Sequence, residues 1–139
     1  MKKLLIGFLL SAVTFNCLAA MNENELLGED RIYLTETKDV WIYYKGMVAT
    51  PPLVSFWFGA NGKNTQPKSK SVRAFITFDC KLRKQRYEAI FQYSQSDNNG
   101  KVLERNYHTY PWRPVEPDGL FNTMFESACI ALKNITHPN

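Results

Sequence analysis

The sequence predicts an α+β domain: a twisted antiparallel β-sheet of about five to six strands, with a C-terminal helix packed on one face. Two hydrophobic periodicities support this prediction. Residues 71–80 alternate between apolar and polar side chains, which is typical of a half-buried strand. Residues 120–132 carry apolar side chains at helical spacing, which gives them a single apolar stripe. Since each segment has one apolar face to bury, we expect the two faces to pack together.

Turn-forming residues bound the first strands of the predicted sheet. Residues 40–44 are rich in β-branched and aromatic side chains, and the Lys-Gly pair at 45–46 is expected to end this strand. The next strand, residues 53–58, follows the Pro-Pro pair at 51–52, which forbids regular pairing. Residues 59–70 contain Gly, Asn and Pro turn formers and predict a long polar loop.

Three further strands are expected to form an antiparallel meander, since their connections are too short for a parallel crossover. The alternation of residues 71–80 places Cys80 on the buried face. The second strand, residues 87–93, is expected to place four side chains on one side: Tyr87, Ala89, Phe91 and Tyr93. The Asp-Asn-Asn-Gly run at 97–100 predicts a hairpin turn, because Asn and Gly accept positive φ. Residues 101–110 are the expected return strand.

The last element is a helix, for which Asp118 is well placed as the N-cap. Its apolar stripe contains seven residues: Leu120, Phe121, Met124, Phe125, Ala128, Cys129 and Leu132. Cys129 therefore lies on the apolar face of the helix, as Cys80 lies on the apolar face of its strand. The polar lead, residues 21–30, and the tail, residues 134–139, are expected to be loose.

Residues 1–20 have the three-part layout of a secretory signal peptide. A pair of lysines precedes an uncharged apolar run, residues 4–15, and Ala19 and Ala20 supply small side chains for cleavage after either position. The apolar run is shorter than the roughly 20 residues that a membrane-spanning helix needs. We therefore expect an exported chain with no transmembrane segment in its mature part.

Two other interpretations of this segment remain open. One is a retained membrane anchor, which the short apolar run disfavours. The other is a lipoprotein signal with Cys17 as the lipidated residue, although Asn16 stands where such signals place a small side chain.

Cleavage after Ala20 leaves a single domain, residues 21–139. The signal holds two of the 17 basic residues and none of the 13 acidic ones, so this domain has a net charge of only +2. A nucleic-acid binder is not indicated.

Two of the three cysteines remain after cleavage. An oxidising compartment favours one intramolecular disulfide between Cys80 and Cys129, and two free or intermolecular thiols are the alternative. This disulfide would close a loop of about 50 residues, for which the chain-entropy model gives about 4 kcal/mol of stabilisation. A metal site is disfavoured, because the cysteines are far apart and His108 and His137 offer no ligand pair at zinc-finger spacing.

No motif predicts an enzyme site. His108 lies on the expected return strand, and no neighbouring motif supplies a nucleophile or an acid partner. Ser55 and Ser127 lack the flanking glycines of a nucleophile elbow. The chain also lacks a glycine-rich phosphate-binding loop. We therefore predict a non-enzymatic protein that needs neither a cofactor nor a metal.

Positive charge is concentrated in residues 63–86, where eight basic side chains accompany a single acid, Asp79. Four of these basic residues lie at the connection between two predicted strands and are called the basic turn: Lys81, Arg83, Lys84 and Arg86. We expect all four to be solvated. They are the candidate binding residues for an acidic glycan, an anionic lipid or an acidic protein surface. The alternative is a solubilising turn that also blunts an edge of the sheet.

Several short motifs follow one another in a characteristic order. They are Phe78-Asp79-Cys80, a basic stretch and an aromatic strand, Gly100-Lys101-Val102, Trp112, Val115-Glu116-Pro117 and a helical Cys129. This order, together with the signal peptide, resembles the surface-adhesin protein E family of Gram-negative bacteria. The resemblance covers about residues 40–129.

The resemblance implies both a fold and a function. It implies an antiparallel sheet whose concave face is tied to a C-terminal helix by the disulfide, in agreement with the periodicities. It also implies a binding protein in the periplasm or on the cell surface, similar to an adhesin that engages host extracellular-matrix components. A host matrix protein or an acidic glycan would then be the partner. The alternative function is a soluble periplasmic inhibitor or accessory factor that binds an envelope or foreign protein.

Overall fold

The computed structural model describes residues 31–62 and 68–137. The predicted signal peptide and the polar lead lie outside the described residues, so export stays a prediction. The described residues contain seven strands and one α-helix: β1 (Arg31–Tyr33), β2 (Val40–Thr50), β3 (Leu53–Asn61), β4 (Ser71–Asp79), β5 (Lys84–Tyr93), β6 (Val102–Asn106), β7 (Arg113–Pro114) and α1 (Leu120–Thr136). A short 3-10 turn, Ser96–Asn98, precedes β6.

The strands form one antiparallel sheet, which confirms the predicted fold class. Strands β1 to β6 lie side by side in chain order, and β7 pairs with the first residues of β5. The described residues hold more strands than the five to six expected. The additional ones are short: β1 has three residues and β7 has two, too few for a period to show in the sequence.

Strand β2 is longer than predicted. It continues through the Lys-Gly pair at 45–46 and ends at Thr50. Its register against β3 shifts between Tyr43 and Val48, so the irregularity lies within the strand instead of ending it. Gly46 occupies this stretch with a φ of 86°, a conformation that glycine adopts without a steric penalty.

The predicted single face of β5 is wrong because the strand contains a bulge. Ile76 of β4 pairs with Tyr87 and Phe75 pairs with Ala89, so Glu88 is the extra residue between them. The Tyr87 ring packs on the side of the sheet that α1 covers, 6.2 Å from the ring of Phe121. The other three members of the set lie on the opposite face: Ala89, Phe91 and Tyr93.

The bounds of β6 and α1 also differ from the prediction. Strand β6 ends at Asn106, whose side-chain oxygen accepts the backbone N–H of His108 at 3.0 Å and so closes a local turn. The helix begins at Leu120 with Gly119 as its N-cap residue, one position after the predicted Asp118. It continues to Thr136, so the first part of the tail that we expected to be loose is helical. No helix within the described ranges is long and apolar enough to cross a membrane.

The apolar stripe of α1 packs on one face of the sheet, as predicted. The rings of Phe78 and Phe125 meet edge to face at a centroid distance of 5.6 Å. Each large apolar side chain that is fully buried contributes about 1.5–3 kcal/mol to the free energy of unfolding. The buried members of this core are Ile42, Val54, Phe56, Phe58, Ala74, Ile76, Phe78, Val115, Met124, Phe125, Ala128, Cys129 and Leu132.

The predicted disulfide is confirmed. Cys80 follows directly on β4, Cys129 lies in the buried stripe of α1, and their Cα atoms are 5.7 Å apart. The bond spans 49 positions of sequence. It therefore ties the end of a central strand to the middle of the covering helix.

The sheet face opposite α1 carries a second buried cluster, centred on Arg73. The alternation predicted a polar face for this side of β4, but Arg73 and Thr77 are buried there. The Arg73 guanidinium carbon lies 4.9 Å from the ring of Trp57 and 5.3 Å from the ring of Phe91. A desolvated cation–π contact is worth about 2 kcal/mol. Aromatic side chains from neighbouring strands thus replace water around this charge, and β4 is buried on both faces.

The predicted hairpin turn at 97–100 packs against this second cluster. The Asn98 amide group donates to the Tyr43 hydroxyl at 3.0 Å, and the Asn98 backbone N–H donates to the Ser71 hydroxyl at 2.9 Å. The Ser71 hydroxyl in turn donates to the Gln95 carbonyl at 2.6 Å. These bonds hold the turn at one end of the sheet.

The disulfide leads to a prediction about stability. Mature protein kept under non-reducing conditions should be lighter than its reduced form by two hydrogen atoms, as measured by mass spectrometry. Replacing Cys129 by Ala should lower the free energy of unfolding by about 2–5 kcal/mol, because the unfolded chain gains loop freedom. Urea denaturation measures this loss. Two alkylatable thiols in the native protein would contradict the assignment.

Tyr87 leads to a prediction about alkaline pH. Burial raises its pKa from 10.0 to about 12, against the opposing effect of the Arg113 charge. The folded state therefore favours the neutral phenol, and this contribution is complete below about pH 10 and lost as the pH rises towards 12. Urea denaturation across this window should show a steeper loss for the wild type than for Tyr87→Phe, by up to about 1.4 kcal/mol per pH unit. Equal slopes would contradict the burial of the phenol.

Candidate binding site

The basic turn lies at an end of the sheet where three chain segments meet. The β2–β3 turn at Pro51–Pro52 and the β4–β5 turn at residues 80–83 are adjacent, because the Cys80 N–H donates to the Pro52 carbonyl at 3.0 Å. The third segment leads into β7, which pairs with the start of β5. This convergence places Trp112 beside the basic turn.

A shallow pocket of about 340 Å³ opens at this junction, and we call it the Trp112 pocket. Leu53, Asp79 and Lys84 are cross-strand partners on β3, β4 and β5, so they share one face of the sheet. That face is opposite α1, because the helix packs on Val54 and Phe78. Six residues line the pocket: Pro52, Leu53, Asp79, Leu82, Lys84 and Trp112.

Asp79 shapes the turn that forms the rim of the pocket. Its carboxylate accepts the backbone N–H of Lys81 at 2.9 Å and that of Leu82 at 2.8 Å. Such a side-chain-to-backbone bond is typical of Asx turns. The turn leaves Leu82 at its apex with 60% of its surface exposed. The single acid of the basic segment therefore has a structural role in presenting an apolar side chain.

Lys81 and Lys84 are exposed and available to a ligand. Neither side chain forms a hydrogen bond or an ion pair within residues 31–62 and 68–137. Lys84 lines the pocket, and Lys81 is adjacent to Leu82 at its rim. One positive charge thus lines the pocket and a second adjoins a lining residue, and neither has a protein partner in the described part of the chain.

Arg83 is bound to the helix, although its side chain is partly exposed. One guanidinium nitrogen lies 3.1 Å from the Glu126 carboxylate, and another donates to the Asn122 side-chain oxygen. The guanidinium carbon also lies 4.8 Å from the centre of the Phe125 ring. Arg83 keeps 41% of its side chain exposed, as expected of a solvated residue, but α1 passes next to the turn and supplies three partners that the sequence did not predict.

Arg86 is also held in place by neighbours. Its guanidinium lies 2.8 Å from the Glu88 carboxylate and 4.5 Å from the centre of the Trp112 ring. A guanidinium stacked on an indole restrains both groups. Only 29% of the Arg86 side chain is exposed, so it is less solvated than we expected. Arg86 orients a wall of the pocket, and its charge already has a carboxylate partner.

Leu82 and Trp112 are two of the five lining residues that sequence reasoning did not assign to the site. Leu82 lies inside the basic turn, and a single apolar residue among four charged ones could have indicated an exposed contact residue. Trp112 stands between Pro111 and Arg113, in a segment that the sequence pattern does not assign to a regular element. Only the pairing of β7 with β5 places it against Arg86.

His108 lies beyond the end of β6 and is exposed. Its ring packs edge to face on Tyr110 at a centroid distance of 4.8 Å. Within the described ranges, no group of three or more His, Cys, Asp or Glu side chains is close enough to hold a metal ion.

Comparison with known protein families identifies the family of this chain. The model of the family described as surface-adhesin protein E matches residues 29–130, which is most of the chain. The chain belongs to the surface-adhesin protein E family. The resemblance inferred from the motif order is therefore confirmed. The matched range includes the basic turn, Trp112 and both bridged cysteines.

Solved structures of protein E from Haemophilus influenzae share the fold of this family member. Crystal form II is 16% identical, with a TM-score of 0.62, over 76% of this chain and 91% of that chain. A second structure of the same protein is 17% identical, with a TM-score of 0.57, over 76% and 87%. A structure from a non-typeable strain is 17% identical, with a TM-score of 0.54, over 74% and 77%. A comparison with curated proteins found no match.

The different environments of the four basic residues lead to a prediction about stability. Arg83→Ala should lower the free energy of unfolding by about 1 kcal/mol, because it removes a partly exposed ion pair and a cation–π contact. Lys81→Ala and Lys84→Ala should each change it by less than about 0.5 kcal/mol. Urea denaturation of the three variants measures the difference. Equal losses for all three would contradict the distinction between anchored and available charges.

Proposed function

We propose that this protein is a non-enzymatic binding protein of the Gram-negative cell envelope, which engages an acidic component of the host extracellular matrix through the Trp112 pocket and its two lysines. The observation that carries the proposal is the placement of Lys81 and Lys84. Both are exposed without an ion-pair partner in the described part of the chain; Lys84 lines a mainly apolar pocket, and Lys81 adjoins the lining residue Leu82. Acidic groups of a partner would supply the missing counter-charges.

Membership in the surface-adhesin protein E family supports the adhesive part of this proposal. The solved structures named above are less than 25% identical and support the fold alone. The choice of matrix component therefore rests on the chemistry of the site. An uncharged or basic partner would leave both lysines without counter-charges.

The rigidity of the turn also supports a binding role. The Cys80–Cys129 bond holds the first residue of the turn. The contacts of Arg83 with Asn122 and Glu126 hold its last residue. A surface that is already ordered loses little conformational entropy when it binds. The lysines therefore project from a fixed base.

The location of the protein in its cell tests the envelope part of the proposal. The signal peptide at residues 1–20 should deliver the chain across the inner membrane. Protease digestion or antibody labelling of intact cells should reach an adhesin at the surface. A pool confined to the periplasm would contradict adhesion and would favour a soluble periplasmic inhibitor or accessory factor.

The electrostatic part of the proposal leads to a prediction about salt. The double variant Lys81→Ala/Lys84→Ala should elute from a heparin column at a clearly lower salt concentration than the wild type, because two contact charges are lost. Exposed charges are screened beyond about 8 Å at 0.15 M salt, so retention should fall steeply as salt rises.

The matched control is the double variant Lys101→Ala/Lys133→Ala. It removes the same charge from exposed positions outside the basic turn, and it should elute close to the wild type. If both double variants eluted at the same lowered salt concentration, retention on heparin would depend only on net charge. The lysines of the turn would then serve to keep it solvated.

A further inference from the structure

The walls of the Trp112 pocket are mainly apolar, and this limits what enters it. Pro52, Leu53, Leu82 and Trp112 provide four of the six lining side chains. An exposed leucine beside a restrained indole is a costly arrangement in water and is typical of a contact surface. A volume of about 340 Å³ lies near the lower end of the range for ligand pockets, which is roughly 300–1,000 Å³. The pocket therefore suits one apolar side chain.

Asp79 determines where the negative charges of a ligand can lie. Its carboxylate lines the pocket, so a sulfate or carboxylate group inside the pocket would meet a like charge. The two available positive charges belong to Lys84 at the pocket and Lys81 at its rim. The favourable ligand therefore carries its acidic groups outside the pocket and an uncharged group within it.

A protein segment meets these two requirements better than an acidic glycan does. In a peptide, an apolar side chain can be flanked by Asp or Glu, so that the apolar and anionic groups are separate. A sulfated sugar carries its anionic groups on the same rings as its hydroxyls, so a ring inside the pocket would bring its sulfates close to the Asp79 carboxylate. The arrangement of walls and charges thus discriminates between the two acidic ligand classes.

We propose that the Trp112 pocket binds an apolar side chain of a short acidic segment in a partner protein, while Lys81 and Lys84 pair with the acidic residues on either side of it. The proposal rests on the proposed function and specifies its ligand as a peptide segment. Arg86 is a positioning residue here: it is paired with Glu88 and stacks on Trp112, and so fixes one wall of the pocket.

The test uses two labelled peptides and the mature protein, with binding measured by fluorescence anisotropy. The first peptide is acetyl-Glu-Asp-Phe-Asp-Glu-amide, and the second has Ala in place of Phe. The Phe peptide should bind about tenfold more tightly than the Ala peptide, because one aromatic side chain leaves water. A heparin-derived octasaccharide serves as the glycan probe.

Two substitutions separate the pocket from the charges. Leu82→Asn should abolish the preference for the Phe peptide, and because Leu82 is largely exposed this change should not unfold the protein. Trp112→Ala should have the same effect, with circular dichroism as the check on folding. The double variant Lys81→Ala/Lys84→Ala should weaken the binding of both peptides alike and leave their ratio near tenfold.

The outcomes distinguish this inference from the proposed function. If both peptides bind equally and depend on the lysines, the peptide-anchor inference is overturned while the acidic site stands. If the octasaccharide binds more tightly than the Phe peptide and loses affinity in Leu82→Asn, the pocket is a glycan site and the inference is overturned. If none of the three probes responds to the lysine substitutions, both the inference and the proposed function fail.

Discussion

The contact between the apolar stripe of α1 and the sheet, closed by the Cys80–Cys129 disulfide, determines the rest of this structure. Cys80 is both the residue after β4 and the first residue of the β4–β5 turn, so the bond that holds the helix also holds the turn. The helix then supplies Asn122 and Glu126 to Arg83, which restrains the turn a second time. Removing the helix from the sheet would therefore release both the core and the surface that we propose for binding.

Burial on both faces of the sheet limits the surface that remains for a partner. One face is covered by α1, and much of the other is filled by aromatic rings around Arg73 and by the turn that contains Asn98. The end of the sheet at the basic turn combines an exposed apolar side chain, Leu82, with two nearby lysines that have no partners in the described part of the chain. The binding proposal is therefore based on the residues at this end of the sheet, which neither α1 nor the cluster around Arg73 covers.

Local periodicity was enough to predict the fold class, since the alternation of residues 71–80 and the helical stripe each depend on one segment alone. The disulfide was also predictable, from the number of cysteines and the expected compartment. Arg73 was not, because the alternation rule equates a charged side chain with solvent, whereas here aromatic rings from two neighbouring strands surround it. The anchoring of Arg83 and the position of Trp112 were missed for a similar reason: their partners come from α1 and β5, and only the three-dimensional arrangement brings them together.

The most direct test of the binding surface is a map of the backbone amides that respond to a ligand. Two-dimensional NMR spectra of the isotope-labelled mature domain, recorded during titration with the acidic Phe peptide, provide this map. We expect the shifted resonances to cluster at residue 53, at residues 79–86 and at residues 112–113, which surround the pocket. Shifts concentrated on the exposed side of α1, or at the far end of the sheet around residues 94–101, would contradict the proposed surface.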